Sequence, residues 1–212
     1  SVLNTKDNTF RHYQLGNAGK LDSLKRQLDQ TVNVLYKDKN ENIWIGTRDR
    51  GVCIYDSARD NFRFFSVPPN KYPPLIPALA SYNGILNIRE SRTNDSIMWA
   101  GTPSGLLEIN KYSGDVRLFT FPQKSKDYQV ALNAFRRLYH HDDGLLYVGS
   151  WAASVNVFDP VARTFTPLEV KNQEAKKILT GVISNLTRKS DHEIWITSGL
   201  GLVIYDSRLK DV

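Results

Sequence analysis

The sequence predicts an all-β protein built from repeated four-stranded units, and three observations support this fold class. A block written NIWIGTRDRGVCIYD, at residues 42–56, recurs three more times with the same order of aromatic, β-branched and small residues. An alternating run precedes each block, and an aromatic-rich run follows most of them, so each unit reads as short strands separated by turn residues. Helical periodicity is almost absent, and the best helix candidate is residues 18–30, which have a turn or an extended connector as the alternative.

The blocks are anchored by Trp44, Trp99, Tyr147 and Trp195. These aromatics lie roughly 50 residues apart, and four short strands in such a period are typical of a β-propeller blade. A four-stranded sheet cannot bury both of its faces alone, so neighbouring sheets must stack around a common axis. We therefore expect the four aromatic side chains to fill the spaces between blades. The glycine that follows most of them allows close approach of the next blade.

The repeats divide the chain into one propeller segment of about four blades. The expected blades cover residues 32–67, 85–121, 133–170 and 182–212, and residues 9–15 are expected to be the last strand of a preceding blade. The last unit ends after its third strand. Three arrangements remain open: the four blades close on themselves, belong to a larger ring, or pair with a second copy.

Composition excludes several classes of function. Lys and Arg number 28 against 22 Asp and Glu, but the basic pairs are scattered, so we expect no nucleic-acid partner. No stretch of roughly 18 apolar residues exists, so we expect no membrane contact by this segment. The single cysteine, Cys53, lies in an apolar run and is expected to be buried. Because the only methionine is Met98, we expect the chain to be a fragment or a processed domain.

The first repeat carries a recognisable motif. The pattern D…NIWIGT…GVCIYD…F is carried by Asp38 and residues 42–47, 51–56 and 62–65, and it resembles the two-component regulator propeller repeat. The other units match with drift, and the resemblance covers roughly residues 9–206. It implies a periplasmic sensor region of a hybrid two-component histidine kinase from gut Bacteroidetes, with oligosaccharides as ligands. Seven blades per propeller are usual in that family, so four imply a segment of the sensor region.

Loops between the second and third strands are the expected ligand-binding positions of a propeller. Trp151 places a large aromatic where other units have small or polar residues, and it either stacks on a sugar face or fills a gap beside the neighbouring blade. Arg48 and Arg50 flank Asp49. They either grip a carboxylate or sulfate on a glycan or form a weak surface ion pair with Asp49.

Two further ligand-binding candidates come from other positions. Tyr82 lies in a proline-rich connector, residues 67–84, which is expected to rim a pocket, cover an edge or dock another chain. Arg89 lies on an inner strand, as does Arg136, and each either faces the central channel or lies between blades with only its tip exposed.

The sequence offers little catalytic chemistry. The pair His140-His141 and His192 follow first strands and have no further ligands at metal-binding spacing, so we expect no catalytic residue, metal or cofactor. Asp56, Asp159 and Asp206 recur with the repeat, which turn capping explains.

The function expected from these features is that of a periplasmic, non-catalytic ligand-sensing segment of a sensor kinase. Its expected partners are an oligosaccharide, further propeller blades of the parent chain and a second copy in a homodimer. One alternative is a propeller lyase, which would need a cluster of His, Glu or Arg at one end of the channel. Another is a protein-interaction scaffold without a small ligand, which would present a broad apolar face.

Overall fold

The computed structural model describes residues 2–12, 31–48, 51–64, 84–121, 134–151 and 154–212. Nearly all of these residues lie in antiparallel β-strands and the turns between them, with one short helix. No helix in these ranges is long and apolar enough to cross a membrane. The all-β prediction is confirmed, whereas the helix candidate at residues 18–30 lies outside the described residues.

Four sheets follow one another along the chain, and each is formed by consecutive antiparallel strands. The first blade contains β3 Val32–Lys37, β4 Ile43–Thr47, β5 Val52–Asp56 and β6 Asn61–Phe64. The second blade contains β7 Asn87–Glu90, β8 Ile97–Thr102, β9 Gly105–Asn110 and β10 Val116–Phe119. The third blade contains β11 Phe135–His140, β12 Leu146–Ser150, β13 Val155–Asp159 and β14 Thr164–Pro167. The fourth blade contains β15 Ile183–Arg188, β16 Glu193–Ser198 and β17 Gly201–Asp206.

A short hairpin precedes the first blade. Its strands are β1 Val2–Asn4 and β2 Thr9–Arg11. Thr9–Arg11 lies within residues 9–15, where the last strand of a preceding blade was expected, but residues 13–15 lie outside the described residues and that assignment stays a prediction. The structure adds a partner strand that the sequence did not predict. Arg11 forms an ion pair of 2.5 Å with Asp60, so the hairpin lies beside the first blade. Among the described strands β2 pairs with β1, and the fourth blade has three strands.

The connector between the third and fourth blades contains the helix, α1 Gln173–Leu179. The Asn172 side chain caps its first turn by accepting a hydrogen bond of 3.0 Å from the Ala175 backbone N–H. Ala175 and Leu179 are buried in the cluster between the two blades. The sequence indicated only a connector here, because two turns of helix are too short for periodicity to reveal.

Repeated polar side chains cap the turns between third and fourth strands. Asp159, for example, accepts hydrogen bonds of 2.7 and 3.0 Å from the backbone N–H groups of Val161 and Ala162. The equivalent side chains that make the same pair of bonds are Asp56, Asn110 and Asp206. The turn-capping interpretation of the recurring aspartates is confirmed.

Three of the four anchoring aromatics fill the junctions between blades. Trp44, Trp99 and Tyr147 are 1%, 2% and 2% exposed, and each packs in a separate apolar cluster. The prediction is wrong for Trp195, which is 40% exposed. Trp195 lies on the outer face of the fourth blade, paired with Ile204, and no described sheet covers that face.

At the opposite end of the stack, an apolar side chain on the inner strand of the first sheet is exposed. Leu35 on β3 is 65% exposed, although the side chains at the same register in the other blades are buried. Those side chains are Ile88, Leu138 and Leu186, which are 1%, 1% and 3% exposed. The cross-strand neighbours of Leu35 on the same face, Ile45 and Cys53, are 5% and 0% exposed, so the first sheet exposes this face only at its inner strand, whereas the last sheet exposes the apolar face that carries Trp195.

Glycines after the anchoring aromatics make room for the next blade. A Cβ at Gly46 would lie 2.6 Å from the Ile85 side chain, and a Cβ at Gly149 would lie 2.6 Å from the Ile183 side chain. Both distances are too short for real contacts, so the expectation of close approach is confirmed. The same register position in the fourth blade is Thr197, at the uncovered end of the stack.

A buried carboxylate orders the first junction. Asp38 is 2% exposed and accepts hydrogen bonds from the Trp44 indole N–H at 2.9 Å and from the Asn42 side chain. Burial acts to raise the pKa of Asp38, but the hydrogen bonds from Trp44, Asn42 and Asn40 together lower it below its usual value. The second blade has Ser91 at this register, and its Trp99 indole N–H has no hydrogen-bond partner among the described residues.

Candidate functional site

The inner strands and the turns after the second strands meet at one end of the stack. The Arg48 backbone N–H donates to the Thr31 carbonyl at 2.9 Å, and the Trp151 N–H donates to the Ala134 carbonyl at 3.2 Å. The two side chains therefore occupy the same repeat position, next to the start of an inner strand.

Trp151 presents an exposed ring at this end. It is 54% exposed, so it does not fill a gap in the manner of the junction aromatics. The guanidinium carbon of Arg136 lies 4.3 Å from the centre of its ring, which is a cation–π contact. This contact orients the indole and leaves part of its surface open to a ligand.

A β-bulge places Arg136 beside Trp151. The pairing of β11 with β12 shifts register between Phe135 and Arg137, so Arg136 is the extra residue. The first and fourth blades have the same shift in their inner strands, with Asn33 and Ser184 at the extra position. A bulge redirects the side chain of the inserted residue, which is why strand alternation alone left the direction of Arg136 open.

Arg89 and Arg137 extend the basic cluster along the inner strands. Arg89 lies on β7 with its guanidinium carbon 5.7 Å from the centre of the Tyr36 ring, and it donates to the Ile88 carbonyl at 2.7 Å. Arg137 donates through Nε to the Ser184 carbonyl at 2.5 Å, and it also bonds the Arg136 carbonyl. All three arginines are partly buried.

Among the residues that the structure describes, these arginines have no ion-pair partner. No carboxylate oxygen lies within 4.0 Å of Arg89, Arg136 or Arg137 in the described ranges. Burial lowers the pKa of Arg89, and the positive charge of Arg137 lowers it further. Burial also lowers the pKa of Arg137, and the positive charge of Arg136 adds to that effect. Within the described part of the chain, the cluster is therefore a site of uncompensated positive charge.

The structure places the predicted ligand-binding residues unequally. Trp151 contacts Arg136, and the backbone of Arg48 lies at the same end as Trp151. Arg89 lies on the adjacent inner strand β7, where its charge interacts with that of Arg137. Arg50 and Tyr82 lie outside the described residues. The sequence did not single out Tyr36 or Arg137 as binding residues, because their partners are on other blades and no local motif marks them.

The histidines at the opposite end are structural. His140 is buried, and its ring nitrogens bond the Arg92 backbone N–H at 3.0 Å and the Gly144 carbonyl at 3.1 Å. Burial lowers the pKa of His140. His141 is buried beside Asp143, at 3.3 Å. Among the described residues no group of three or more His, Cys, Asp or Glu is placed to hold a metal ion.

Comparison with known proteins agrees with this architecture. Residues 27–49 match the family model for the two component regulator propeller. No curated protein is similar enough to the chain to match it.

Three solved structures share its arrangement of sheets. Two are described as extracellular domains of hybrid two component systems from B. thetaiotaomicron, BT3049 and BT4673, with TM-scores of 0.68 and 0.63 and identities of 19% and 17%. The chain is covered over 98% and 82% of its length, but it spans only 24% and 21% of those proteins. The third is the Cps50 (Swd1) β-propeller domain of Myceliophteria thermophila, with a TM-score of 0.59, 12% identity and coverage of 87% of this chain and 55% of that one.

The predicted fold and the predicted resemblance are both confirmed, the first by the stacked sheets and the second by the match at the first repeat. The chain is a set of β-propeller blades, and its residues 27–49 match the two component regulator propeller.

Proposed function

We propose that this chain is an extracytoplasmic, ligand-sensing segment of a hybrid two-component sensor kinase that responds to an oligosaccharide. In this proposal the segment itself performs no catalysis and lies in the periplasm. The observation that carries the sensor role is the family match at residues 27–49. The similarity to extracellular domains of hybrid two component systems supports it.

The chemistry of the inner-strand end supports the choice of ligand. Trp151 offers an exposed indole, and sugars present apolar C–H faces that stack on such rings. The neighbouring guanidinium groups of Arg89, Arg136 and Arg137 supply hydrogen-bond donors for sugar oxygens. An apolar platform beside a few polar groups is the usual composition of a small-molecule site.

The exposed apolar face of the last sheet supports further blades as partners. Trp195 on the last sheet and Leu35 on the first occupy positions that are buried at every internal junction. We assign the Trp195 face to a further blade of the longer sensor protein, since another blade is what covers the equivalent face at each junction. The homodimer expected for the sensor stays a prediction.

Solvent access to Trp195 tests this assignment. In a Trp151→Phe background, iodide should quench the fluorescence of Trp195 in the 212-residue chain and leave it unquenched in the longer protein. Equal quenching in both would contradict the assignment. If light scattering shows that the 212-residue chain is a dimer and that Trp195→Ser makes it a monomer, the Trp195 face binds a second copy of the chain instead.

Calorimetry with a panel of oligosaccharides tests the sensing role. Titrations should use both the chain and the longer sensor protein to which we assign it, with neutral and acidic sugars of matched length. Saturable binding of at least one sugar is expected, weakened by Trp151→Ala without a change in melting temperature. If no sugar binds either protein, the proposal loses its ligand.

A further inference from the structure

We propose that Arg89, Arg136 and Arg137 form, with Trp151, a subsite for an acidic sugar residue of the ligand. The guanidinium groups would hold the carboxylate or sulfate of that residue, and the indole would stack on its ring. This inference rests on the proposed function, because it specifies the chemical class of the oligosaccharide.

The three arginines lie on the inner strands of adjacent blades. Arg89 is on β7 of the second blade, and the other two are on β11 of the third blade, which packs against β7. The bulge directs Arg136 to the exposed Trp151 ring, while Arg137 reaches across to β15. Positive charge is thereby gathered along the inner strands next to an aromatic platform.

The charge of this cluster is not neutralised within the described part of the chain. Elsewhere in those ranges arginines pair with carboxylates, as Arg92 does with Asp142 at 2.8 Å. Partly buried cations without a counter-charge are energetically unfavourable, and neighbouring cations add repulsion. A bound anion would remove both penalties, so the cluster should select acidic ligands over neutral ones.

The hydrogen-bonding capacity of the cluster is only partly used. A guanidinium group has five N–H donors. Arg89 donates from Nη1 to the Ile88 carbonyl, and Arg137 donates from Nε and Nη1 to two carbonyls. The Arg136 guanidinium group makes no hydrogen bond with the described residues, and its cation–π contact is with the Trp151 indole. Donors therefore remain for the two or more oxygens of a carboxylate or sulfate.

The platform argues for a sugar rather than an inorganic anion. Trp151 is 54% exposed although the Arg136 guanidinium lies over its ring. A ligand that carries both an apolar ring face and an anionic group would contact the indole and the arginines together. Uronic acid and sulfated sugar residues have that combination.

Matched sugars and matched variants test the subsite. Calorimetry should compare oligogalacturonate with galacto-oligosaccharides of equal length, and inorganic sulfate alone, on the wild type and on the Arg89→Gln, Arg136→Gln and Arg137→Gln variants. The control is Arg117→Gln, because Arg117 is exposed on the outer strand β10, 4.0 Å from Glu108. Circular dichroism should establish that each variant remains folded.

We expect the acidic sugar to bind more tightly than its neutral counterpart, and we expect its affinity to fall as ionic strength rises. Arg136→Gln should weaken acidic-sugar binding by about 10-fold or more, as expected for loss of a charged hydrogen bond, and Arg117→Gln should not. Equal binding of both sugars, or arginine variants that bind the acidic sugar as wild type does, would overturn the subsite and leave the sensing role intact. Binding of sulfate without any sugar would overturn the sugar assignment. Absence of all sugar binding would overturn the proposed function as well.

Discussion

The burial of one tryptophan and the exposure of its counterpart give a quantitative test of the stacked-blade architecture. The perturbation is Trp99→Ala, compared with Trp195→Ala at the same register of another blade. Full burial of a tryptophan removes roughly 200 Å² from water, worth about 5 kcal/mol at roughly 25 cal/mol per Å². Trp99 is 2% exposed, so nearly all of this surface is buried in the native state.

The alanine at position 99 would retain a small part of that burial, and the substitution would also remove an indole N–H that is buried without a partner. We therefore expect Trp99→Ala to lower the free energy of unfolding by about 3–4 kcal/mol, within the usual range for such truncations. Trp195 is 40% exposed, and its removal leaves no enclosed cavity. We expect Trp195→Ala to lower the free energy of unfolding by about 2 kcal/mol or less.

Urea denaturation followed by circular dichroism would measure both values, with the slope checked for two-state behaviour. Equal losses for the two variants would refute the reasoning, since it depends on a neighbouring blade covering Trp99 and none covering Trp195 in the described structure.

Four further predictions concern the junctions and the site. Trp44→Phe should destabilise the protein more than Trp99→Phe, by about 1–2 kcal/mol in urea denaturation, because only Trp44 donates to a buried carboxylate; equal effects would argue against that hydrogen bond. Because the pKa of Asp38 is lowered on folding, its ionised carboxylate stabilises the folded state fully above the ordinary pKa of 3.8, and this stabilisation is lost as pH falls through the lower folded value. In Asp38→Asn the loss of stability at acid pH should therefore be less steep. An unchanged dependence on pH would contradict the assignment. Gly149→Ala should lower the melting temperature, because its Cβ would lie 2.6 Å from the next blade, whereas Gly199→Ala, with open space around it, is the control that should not. Trp151→Ala should leave the melting temperature unchanged. A large decrease would indicate that Trp151 fills a gap beside the neighbouring blade.

Local sequence was sufficient for the repeating parts of the structure. Strand residues, turn residues and the capping side chains such as Asp159 are decided by alternation and turn chemistry within a few positions. Repetition then identified the residues that share a register, including Trp44 and Trp195. The resemblance of the first repeat to the two-component regulator propeller also depended on local order alone.

The tertiary structure decided which equivalent residues have equivalent surroundings. Trp99 is buried and Trp195 is exposed, although both occupy the same place in their sheets, because burial depends on the presence of a neighbouring blade. Short segments whose stability comes from packing, such as α1, were also beyond local prediction.

The sequence by itself determined that this protein is a series of similar four-stranded sheets, because strand and turn preferences act over a few neighbouring residues. Only the tertiary structure decided that Arg136 contacts the Trp151 ring and that Arg89 and Arg137 come together from adjacent blades, because these arrangements depend on a bulge and on packing between residues nearly fifty positions apart.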